Sequence, residues 1–229
     1  MAELTLEQRI ERMEGAHECQ NLIGRLELLH AANEYRKCMD LHALDTPGVT
    51  IEMDWGVYEG RAGVERFYLN YHGPHEASND SPRNGELHLH TISTMVLEVA
   101  DDLQTATGAY VSPGVETGAI APTGQPGQTA AYWLWNKCSF DCIKENGRWK
   151  IWHFRVFNSF ICPYYTSWVD AGRMPARPPM PPEKAPDRYL PSPSAWSYSV
   201  DKPALNIPAP PEPYATYSEI KQGSWRDAL

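Results

Sequence analysis

Residues 138–157 read Cys-Ser-Phe-Asp-Cys-Ile-Lys-Glu-Asn-Gly-Arg-Trp-Lys-Ile-Trp-His-Phe-Arg-Val-Phe. Asn146-Gly147 separates two apolar-rich runs, and this dipeptide is a strong signal for a two-residue β-hairpin turn. Side chains alternate along a strand, so one face of the second run is predicted to carry Trp149, Ile151, His153, Arg155 and Phe157. A histidine and an arginine beside large apolar residues suit a sheet that borders a cavity with a few polar groups.

Helical patterns come before this hairpin. Thr5-Leu-Glu-Gln8 resembles a capping box and predicts a short helix to about Glu14, which Gly15 interrupts. A longer helix is predicted from Glu18 to Leu41, where apolar residues recur at helical spacing. A third helix is predicted over 63–71.

Strand patterns make up most of the remaining chain. Strands are predicted over 49–53, 57–59, 88–99, 105–112, 130–144 and 148–159, with loops at 72–85 and 113–128. Helices followed by a meander of long antiparallel strands indicate an α+β fold, with the helices on one face of a curved sheet.

The composition argues against several classes of protein. A net charge of -9 disfavours nucleic acid and anionic membranes as partners. No apolar run approaches the length of about 18 residues that a transmembrane helix needs, and the acidic N-terminus lacks the apolar core expected of a signal sequence. The five cysteines lack zinc-type spacing. We therefore expect a reduced, cytoplasmic protein without disulfide bonds.

The composition changes after residue 161. Fourteen of the 20 prolines lie between Pro163 and Pro213, which excludes helix and central strand there. The same region is rich in Tyr and Trp, which disordered tails are not. We therefore predict a domain over 1–161 and, over 162–229, an extended arm that packs on its own or a neighbouring subunit.

Three motifs resemble the SnoaL-like branch of the nuclear-transport-factor-2-like superfamily. Asn33-Glu-Tyr-Arg-Lys-Cys-Met-Asp40 resembles the end of the family's long helix, and Leu89-His-Thr-Ile92 resembles the entry into a long strand. Glu145-Asn-Gly-Arg-Trp-Lys-Ile-Trp-His153 resembles the final strand. The order and spacing of the three motifs carry the resemblance, which covers about residues 19–160.

The resemblance implies a cone-shaped fold, in which a strongly bent antiparallel sheet wraps around helices and leaves a pocket at its open end. Family members include cofactor-free dehydratases, isomerases and aldol-type cyclases, small subunits of ring-hydroxylating dioxygenases, and non-catalytic modules. One subgroup, the bacterial lyases that deformylate lignin-derived diarylpropane diols, is similar in size and aromatic richness.

The resemblance also suggests catalytic residues. By motif position Asp40 matches a pocket aspartate, His90 its histidine partner and Tyr35 a pocket tyrosine. A carboxylate fixes the tautomer of a histidine and raises its basicity, so that the histidine can take and return a proton near neutral pH. A tyrosine hydroxyl can stabilise a developing oxyanion. The structural alternatives are a solvent-facing Asp40, a half-buried core Tyr35 and a hydrogen-bonded structural His90.

Tyr110 is the fourth catalytic candidate. It occupies a strand position where related dehydratases carry a second histidine or an aspartate, so a phenol would replace an ionisable base. His88 shares a strand face with His90 and is a candidate substrate ligand. Two same-face histidines can bind a metal, but no third ligand has suitable spacing, so we predict no metal. The glycines between Gly114 and Gly127 lack the pattern of a nucleotide-binding loop, and we predict no cofactor.

Aromatic and polar strand residues are candidates for the pocket wall, although at least half of the aromatic ones are expected to serve core and interface packing instead. Arg155 could hold a carboxylate or phenolate if its strand face lines the pocket, and otherwise it belongs with His153 to an interface or ion pair. The predicted substrate-binding residues are Trp55, Tyr58, Tyr68, His88, Trp133, Phe140, His153 and Arg155, with Tyr132 and Trp135 as further wall candidates.

Together these features predict a cofactor-independent lyase that eliminates water or formaldehyde from a small aromatic hydroxylated substrate. We expect a homo-oligomer, dimer or trimer, with the arm at its interface. Two alternatives stay open: a non-catalytic module such as a dioxygenase small subunit, and an isomerase or cyclase acting on a polycyclic ketone. An Asp40–His90 contact inside one pocket would favour an enzyme over a module.

Overall fold

The computed structural model describes residues 4–73, 87–117, 131–170, 180–191 and 196–220. One long N-terminal helix packs against a curved, unclosed sheet, which confirms the predicted α+β class. The predicted loops at 72–85 and 113–128 lie largely outside the described residues.

Helix α1 spans Leu6–Ala31 without a break. Thr5 and Gln8 form the predicted capping box at its start. The predicted interruption at Gly15 is wrong, because this glycine serves packing: a Cβ there would lie 3.0 Å from the indole of Trp149. The missing side chain lets the helix approach the sheet closely. None of the helices in the described ranges is long and apolar enough to cross a membrane.

The predicted helix 18–41 is divided into two. The helical path ends at Ala31, Asn33 has a left-handed φ of 59°, and α2 starts anew at Tyr35–Asp40. Asparagine tolerates this conformation better than most residues. Farther along, α3 spans Gly60–Glu65 and continues into a π-helical segment at Arg66–Tyr71.

Eight strands form one mixed sheet in the order β3-β5-β6-β7-β1-β2-β8, with β4 also pairing with β5. All described pairings of these strands are antiparallel except that of β1 with β7. The strands are β1 Thr50–Met53, β2 Gly56–Glu59, β3 Leu87–His90, β4 Ser93–Val99, β5 Thr105–Thr117, β6 Ala131–Glu145, β7 Arg148–Pro163 and β8 Arg188–Tyr189.

The hairpin of β6 and β7 forms as predicted. Asn146 and Gly147 have φ values of 52° and 74°, and positive φ at both central residues is what a type I′ turn requires. The two strands pair along almost their whole length, from Tyr132 opposite Pro163 to Glu145 opposite Arg148. The last strand therefore extends past residue 161, where we placed the domain boundary. The division into two units stays a prediction.

A bulge in β7 changes which residues share a face. Asp141 pairs with His153 and Cys142 pairs with Ile151, so Trp152 is an extra residue without a partner position. Trp149 and Ile151 belong to the core next to α1. Beyond the bulge the alternation is reversed, and His153 lies on the face opposite to Phe154. The prediction that Trp149, Ile151, His153, Arg155 and Phe157 share one face of the strand is therefore wrong.

The described parts of the arm pack against the same chain. Residues 180–191 lie against β2 and the helices that follow it, while Trp196 donates a hydrogen bond to Asp54 (2.8 Å). Tyr214 contacts Thr105 at the start of β5, and the Tyr214 carbonyl accepts from the Asp101 amide (3.0 Å). The predicted homo-oligomer with the arm at its interface stays a prediction.

Candidate active site

A cavity of about 340 Å³ lies between the helices and the concave face of the sheet. Its walls combine aromatic and aliphatic groups with a small number of polar side chains, which is the usual composition of a small-molecule site. The apolar and aromatic lining comprises Leu26, Tyr35, Met53, Trp55, Phe67, Tyr68, Tyr71, Leu134, Cys138, Phe154, Val156 and Ile161.

His90 and Glu116 form a hydrogen-bonded pair at this cavity. His90 donates through Nε2 to Oε1 of Glu116 at 3.1 Å, and both residues line the cavity. His88 Nδ1 lies 3.9 Å from the same carboxylate oxygen. Strand pairing fixes the arrangement, because His88 of β3 stands directly opposite Glu116 of β5.

The pair shifts the acidity of both partners. Burial alone would lower the pKa of His90, but the hydrogen bond and charge of Glu116, together with the charge of Glu27, outweigh it and raise that pKa above its usual value. Burial opposes the charge on Glu116, yet hydrogen bonds from His88 and His90 and the charges of these histidines lower its pKa well below the usual range. Glu116 is therefore a carboxylate that holds His90 in a basic state.

Gly114 leaves space beside the other nitrogen of His90. When the Nε2 proton is donated to Glu116, Nδ1 is the basic nitrogen of the neutral ring. A Cβ on Gly114 would lie 3.1 Å from His90 Nδ1 and 2.5 Å from the carbonyl oxygen of Leu89. A larger residue at this position would therefore press against both the imidazole and the strand backbone.

His30 of α1 stands at the centre of a histidine cluster. Its ring centroid lies 5.2 Å from those of His72 and His90 and 5.7 Å from that of His88. Burial, followed by the positive charges of the other three histidines, lowers the pKa of His30 well below its usual value, with Glu116 opposing. His30 is thus neutral near pH 7. Across the described ranges no group of three or more His, Cys, Asp or Glu has an arrangement that could hold a metal ion.

Glu27 is a second buried carboxyl group in the wall. Burial raises its pKa, and the charge of His90 and a hydrogen bond from Tyr110 offset this only in part. Tyr110 donates its hydroxyl hydrogen to Oε1 of Glu27 at 2.5 Å. The two carboxyl groups of the cavity therefore differ in acidity: His88 and His90 outweigh burial and lower the pKa of Glu116, whereas burial raises that of Glu27.

Three polar side chains form a row across the sheet. Ser112, Asn136 and Asn158 are successive pairing partners on β5, β6 and β7, and all three line the cavity. Oγ of Ser112 and Oδ1 of Asn136 are buried and have no hydrogen-bond partner in the described structure. An unsatisfied buried polar atom costs about 1–3 kcal/mol, so a ligand hydroxyl that met these atoms would gain affinity.

The structure brings five of the predicted site residues to the cavity: Tyr35, Trp55, Tyr68, His88 and His90. Tyr35 stacks on His72 at 4.7 Å, and its hydroxyl donates to Asn33 at 2.7 Å. Tyr110 is buried one step behind the wall, where it contacts the cavity through Glu27.

Asp40 is not part of this arrangement. It is exposed at the end of α2 and does not line the cavity. Because the helix breaks at Asn33, α2 does not continue α1. A helical pattern extended from α1 through this break therefore predicts the wrong position for Asp40. The predicted contact of Asp40 with His90, which would have favoured an enzyme over a module, is therefore not formed. Glu116 supplies the carboxylate beside His90 instead.

Five of the predicted wall residues lie elsewhere. Tyr58 is buried and donates to the carbonyl of Lys184 at 2.9 Å. Phe140 is fully buried against Gly108, where a Cβ would lie 2.2 Å from the phenyl ring. Trp133 is 39% exposed and stacks on Tyr164. Tyr132 is buried in a small cluster with Leu134 and Ile161, and Trp135 is exposed.

His153 and Arg155 lie on the opposite, convex face of the sheet. Both contact Oδ2 of the fully buried Asp141, at 2.8 Å for His153 and 3.1 Å for Arg155. Tyr217 of the arm donates to the same oxygen at 2.9 Å, and Arg155 also contacts Glu52 at 3.0 Å. The two residues therefore belong to a buried cluster with an ion pair, which the sequence left open as the alternative to the cavity wall, and through Tyr217 this cluster holds the arm.

Sequence reasoning missed the two carboxyl groups and the polar row of the site. Glu116 falls in a stretch that Pro113-Gly114 marked as a loop, although β5 continues through it. Glu27 and His30 are polar residues three apart beside the apolar Leu26 of α1, and this spacing was an available signal. A second signal was Asn136, a single amide side chain in a predicted strand that is rich in aromatic residues.

Comparisons with known proteins agree with this architecture. The family model described as a SnoaL-like domain matches residues 12–155. The solved structure of LinA has a TM-score of 0.52 at 12% identity over 70% of this chain and 96% of that one. Hexachlorocyclohexane dehydrochlorinase LinA-type3 from Novosphingobium barchaimii has a TM-score of 0.51 at 11% identity, over 69% and 96% of the two chains.

At these identities the solved structures show a shared fold alone. No curated protein sequence matches the chain. The family match itself extends over well more than half of the 229 residues and contains most of α1, the His90–Glu116 pair, all of β6 and the first half of β7. The chain belongs to the SnoaL-like domain family.

Proposed function

We propose that this protein is a lyase that eliminates water or formaldehyde from a small aromatic hydroxylated substrate, with acid–base groups of its own chain and no cofactor. The observation that carries the proposal is the His90–Glu116 pair at a cavity with aromatic walls. A SnoaL-like fold, shared with a dehydrochlorinase, supports elimination chemistry at the level of the family.

In the proposed mechanism His90 moves the proton. Its neutral ring takes a proton from the substrate at Nδ1, while Glu116 holds the Nε2 proton and stabilises the imidazolium that forms. When water alone is lost, the proton comes from the carbon beside the hydroxyl-bearing carbon, its electron pair forms the double bond as the carbon–oxygen bond breaks, and His90 returns the proton to the leaving hydroxide. When formaldehyde is lost from a phenolic diol, the benzylic hydroxide first leaves as water with the phenol proton, which gives a quinone methide. His90 then takes the proton of the second hydroxyl, and the carbon–carbon bond breaks to release formaldehyde. The electron pair of that bond forms the new double bond and restores the aromatic ring as a phenolate, to which His90 returns the proton.

The polar row suggests how the substrate is oriented. A substrate hydroxyl that donates to Asn136 Oδ1 and accepts from Ser112 Oγ would satisfy both buried atoms. The aromatic ring of the substrate would pack between side chains such as Trp55 and Phe67 of the wall. This arrangement favours a substrate with at least one hydroxyl on a side chain attached to the ring.

The direct test is a screen of purified protein without added cofactor against phenolic diols. Release of formaldehyde, or new absorbance from a conjugated product, is the expected result. Binding of these diols without turnover would contradict the proposal and favour the non-catalytic module. Conversion to an isomer of unchanged mass would favour the isomerase.

Replacing Glu116 with Gln should change both the rate and its pH dependence. Glu116 raises the pKa of His90, so its loss moves the ionisation of His90, and the limb of the rate profile that rises with pH, to lower pH. Loss of the orienting carboxylate should reduce kcat by about 10- to 100-fold. NMR titration of His90 together with a pH–rate profile measures both effects.

Glu14 provides the matched control for that experiment, because it is exposed on α1 away from the cavity. Glu14→Gln should leave the rate and its pH dependence unchanged. An unshifted His90 titration in Glu116→Gln would show that the hydrogen bond does not set the basicity of this histidine.

A further inference from the structure

Residues 180–191 form a strap across the helical side of the cavity. The strap is anchored through its backbone: Tyr58 donates to the Lys184 carbonyl at 2.9 Å, and Arg66 donates to the Ala185 carbonyl at 2.7 Å. These bonds join a proline-rich segment to β2 and to the π-helical segment. They fix the strap at Lys184 and Ala185, whose carbonyl oxygens accept the two hydrogen bonds.

A second set of contacts holds the next part of the strap. β8 pairs with β2, and Asp187 accepts a hydrogen bond from the Glu59 amide at 2.8 Å. A Cβ on Gly56 would lie 2.4 Å from Pro186, so the strap and β2 touch through a glycine. A glycine at position 56 is thus needed for the strap to pack against β2.

The strap contributes one residue to the cavity, Lys184. It is partly buried, and it is the only lysine or arginine among the described lining residues. Within the described ranges no carboxylate lies within ion-pair distance of its ammonium group. The strap lies outside residues 12–155, so Lys184 is an addition of this chain to the matched domain.

The carboxyl groups of the described lining have other partners. Glu116 is hydrogen-bonded to His90 at 3.1 Å, and Glu27 accepts a hydrogen bond from Tyr110 at 2.5 Å. Neither forms an ion pair with Lys184 in the described structure. A ligand anion that met the Lys184 ammonium would gain a Coulomb attraction, strengthened by the reduced screening of a partly enclosed site.

We propose that Lys184 determines the specificity of this cavity by pairing with a negatively charged oxygen of the ligand, a carboxylate or a phenolate, and that the strap positions it. The inference rests on the proposed function only in taking the cavity as the substrate site. It narrows the substrate class from aromatic alcohols to aromatic alcohols that also carry an anionic group.

The test is binding of two matched pairs of probes, measured by isothermal titration calorimetry with the full chain at pH 8. One pair is 4-hydroxycinnamate and its neutral amide, and the other is 4-nitrophenolate and neutral 4-nitroanisole, so the two arms separate carboxylate from phenolate. We expect the wild type to bind at least one anion about five- to tenfold more tightly than its neutral partner. Lys184→Met should reduce that preference to less than about twofold.

Lys202→Met is the matched control, because Lys202 is an exposed lysine of the same arm that does not line the cavity. It should keep the full preference. The wild type binding neither anion more tightly than its neutral partner, or Lys184→Met keeping the preference, overturns the proposal. A preference that follows Lys184 in a protein without lyase activity would refute the proposed reaction and support this inference.

Discussion

Replacing His90 with Ala should reduce kcat by about 10²- to 10⁴-fold, which is the usual cost of losing a general base. The reason is that no other group at the cavity has the same combination of properties. His90 is hydrogen-bonded to a buried carboxylate that raises its pKa, whereas burial and the neighbouring charges lower that of His30. Turnover of the phenolic diol identified in the screen measures the effect.

His17→Ala is the control for this prediction. His17 lies exposed on α1, where it contacts Asn21, and its loss should leave kcat within about twofold. Near-wild-type turnover in His90→Ala would remove His90 from the mechanism. A loss of both turnover and far-UV circular dichroism would instead indicate a structural role, which His90→Asn, with a smaller polar side chain, would help to identify.

Local chemistry explains which features could be predicted from the sequence. The Asn146-Gly147 turn and the Thr5–Gln8 capping box depend on residues that are adjacent or three apart, and both were predicted correctly. The family motifs around His90 and the final hairpin were also sufficient to identify the α+β fold, because they mark where its long elements begin and end.

Features that depend on contacts distant in sequence could not be predicted. The low helix propensity of glycine predicted an interruption at Gly15, yet the structure needs a glycine there because Trp149 packs against α1 at this point. Glu116 becomes the partner of His90 only because β3 pairs with the far end of β5. A single bulge at Trp152 reverses the faces of the strand that follows it, and strict alternation cannot reveal such a shift.

That bulge leads to the second large effect, which concerns stability. Asp141 is fully buried and accepts hydrogen bonds from Arg155, His153 and Tyr217 through one oxygen, and from Thr107 through the other. Asp141→Ala would remove a close carboxylate partner of the buried Arg155, which keeps its contact with Glu52. Breaking a buried ion pair from one side costs about 3–5 kcal/mol, and Glu52 should keep the loss at the lower end of this range.

Urea denaturation at pH 7 measures this loss, with Asp201→Ala as the control. Asp201 is exposed in the arm, and its replacement should change the free energy of unfolding by less than about 0.5 kcal/mol. An unchanged midpoint for Asp141→Ala would mean that the cluster contributes nothing to folding.

The folded fraction of Asp141→Ala should keep the kcat of the wild type at 25 °C, because the bulge directs His153 and Arg155 away from the cavity. A fall in kcat without a fall in stability would contradict that assignment and return these two residues to the reaction. The free energy of unfolding and the kcat of Asp141→Ala together therefore show whether His153 and Arg155 bind substrate or fasten the arm. The structure assigns them to the arm because one extra residue in β7, Trp152, reverses the faces of the strand.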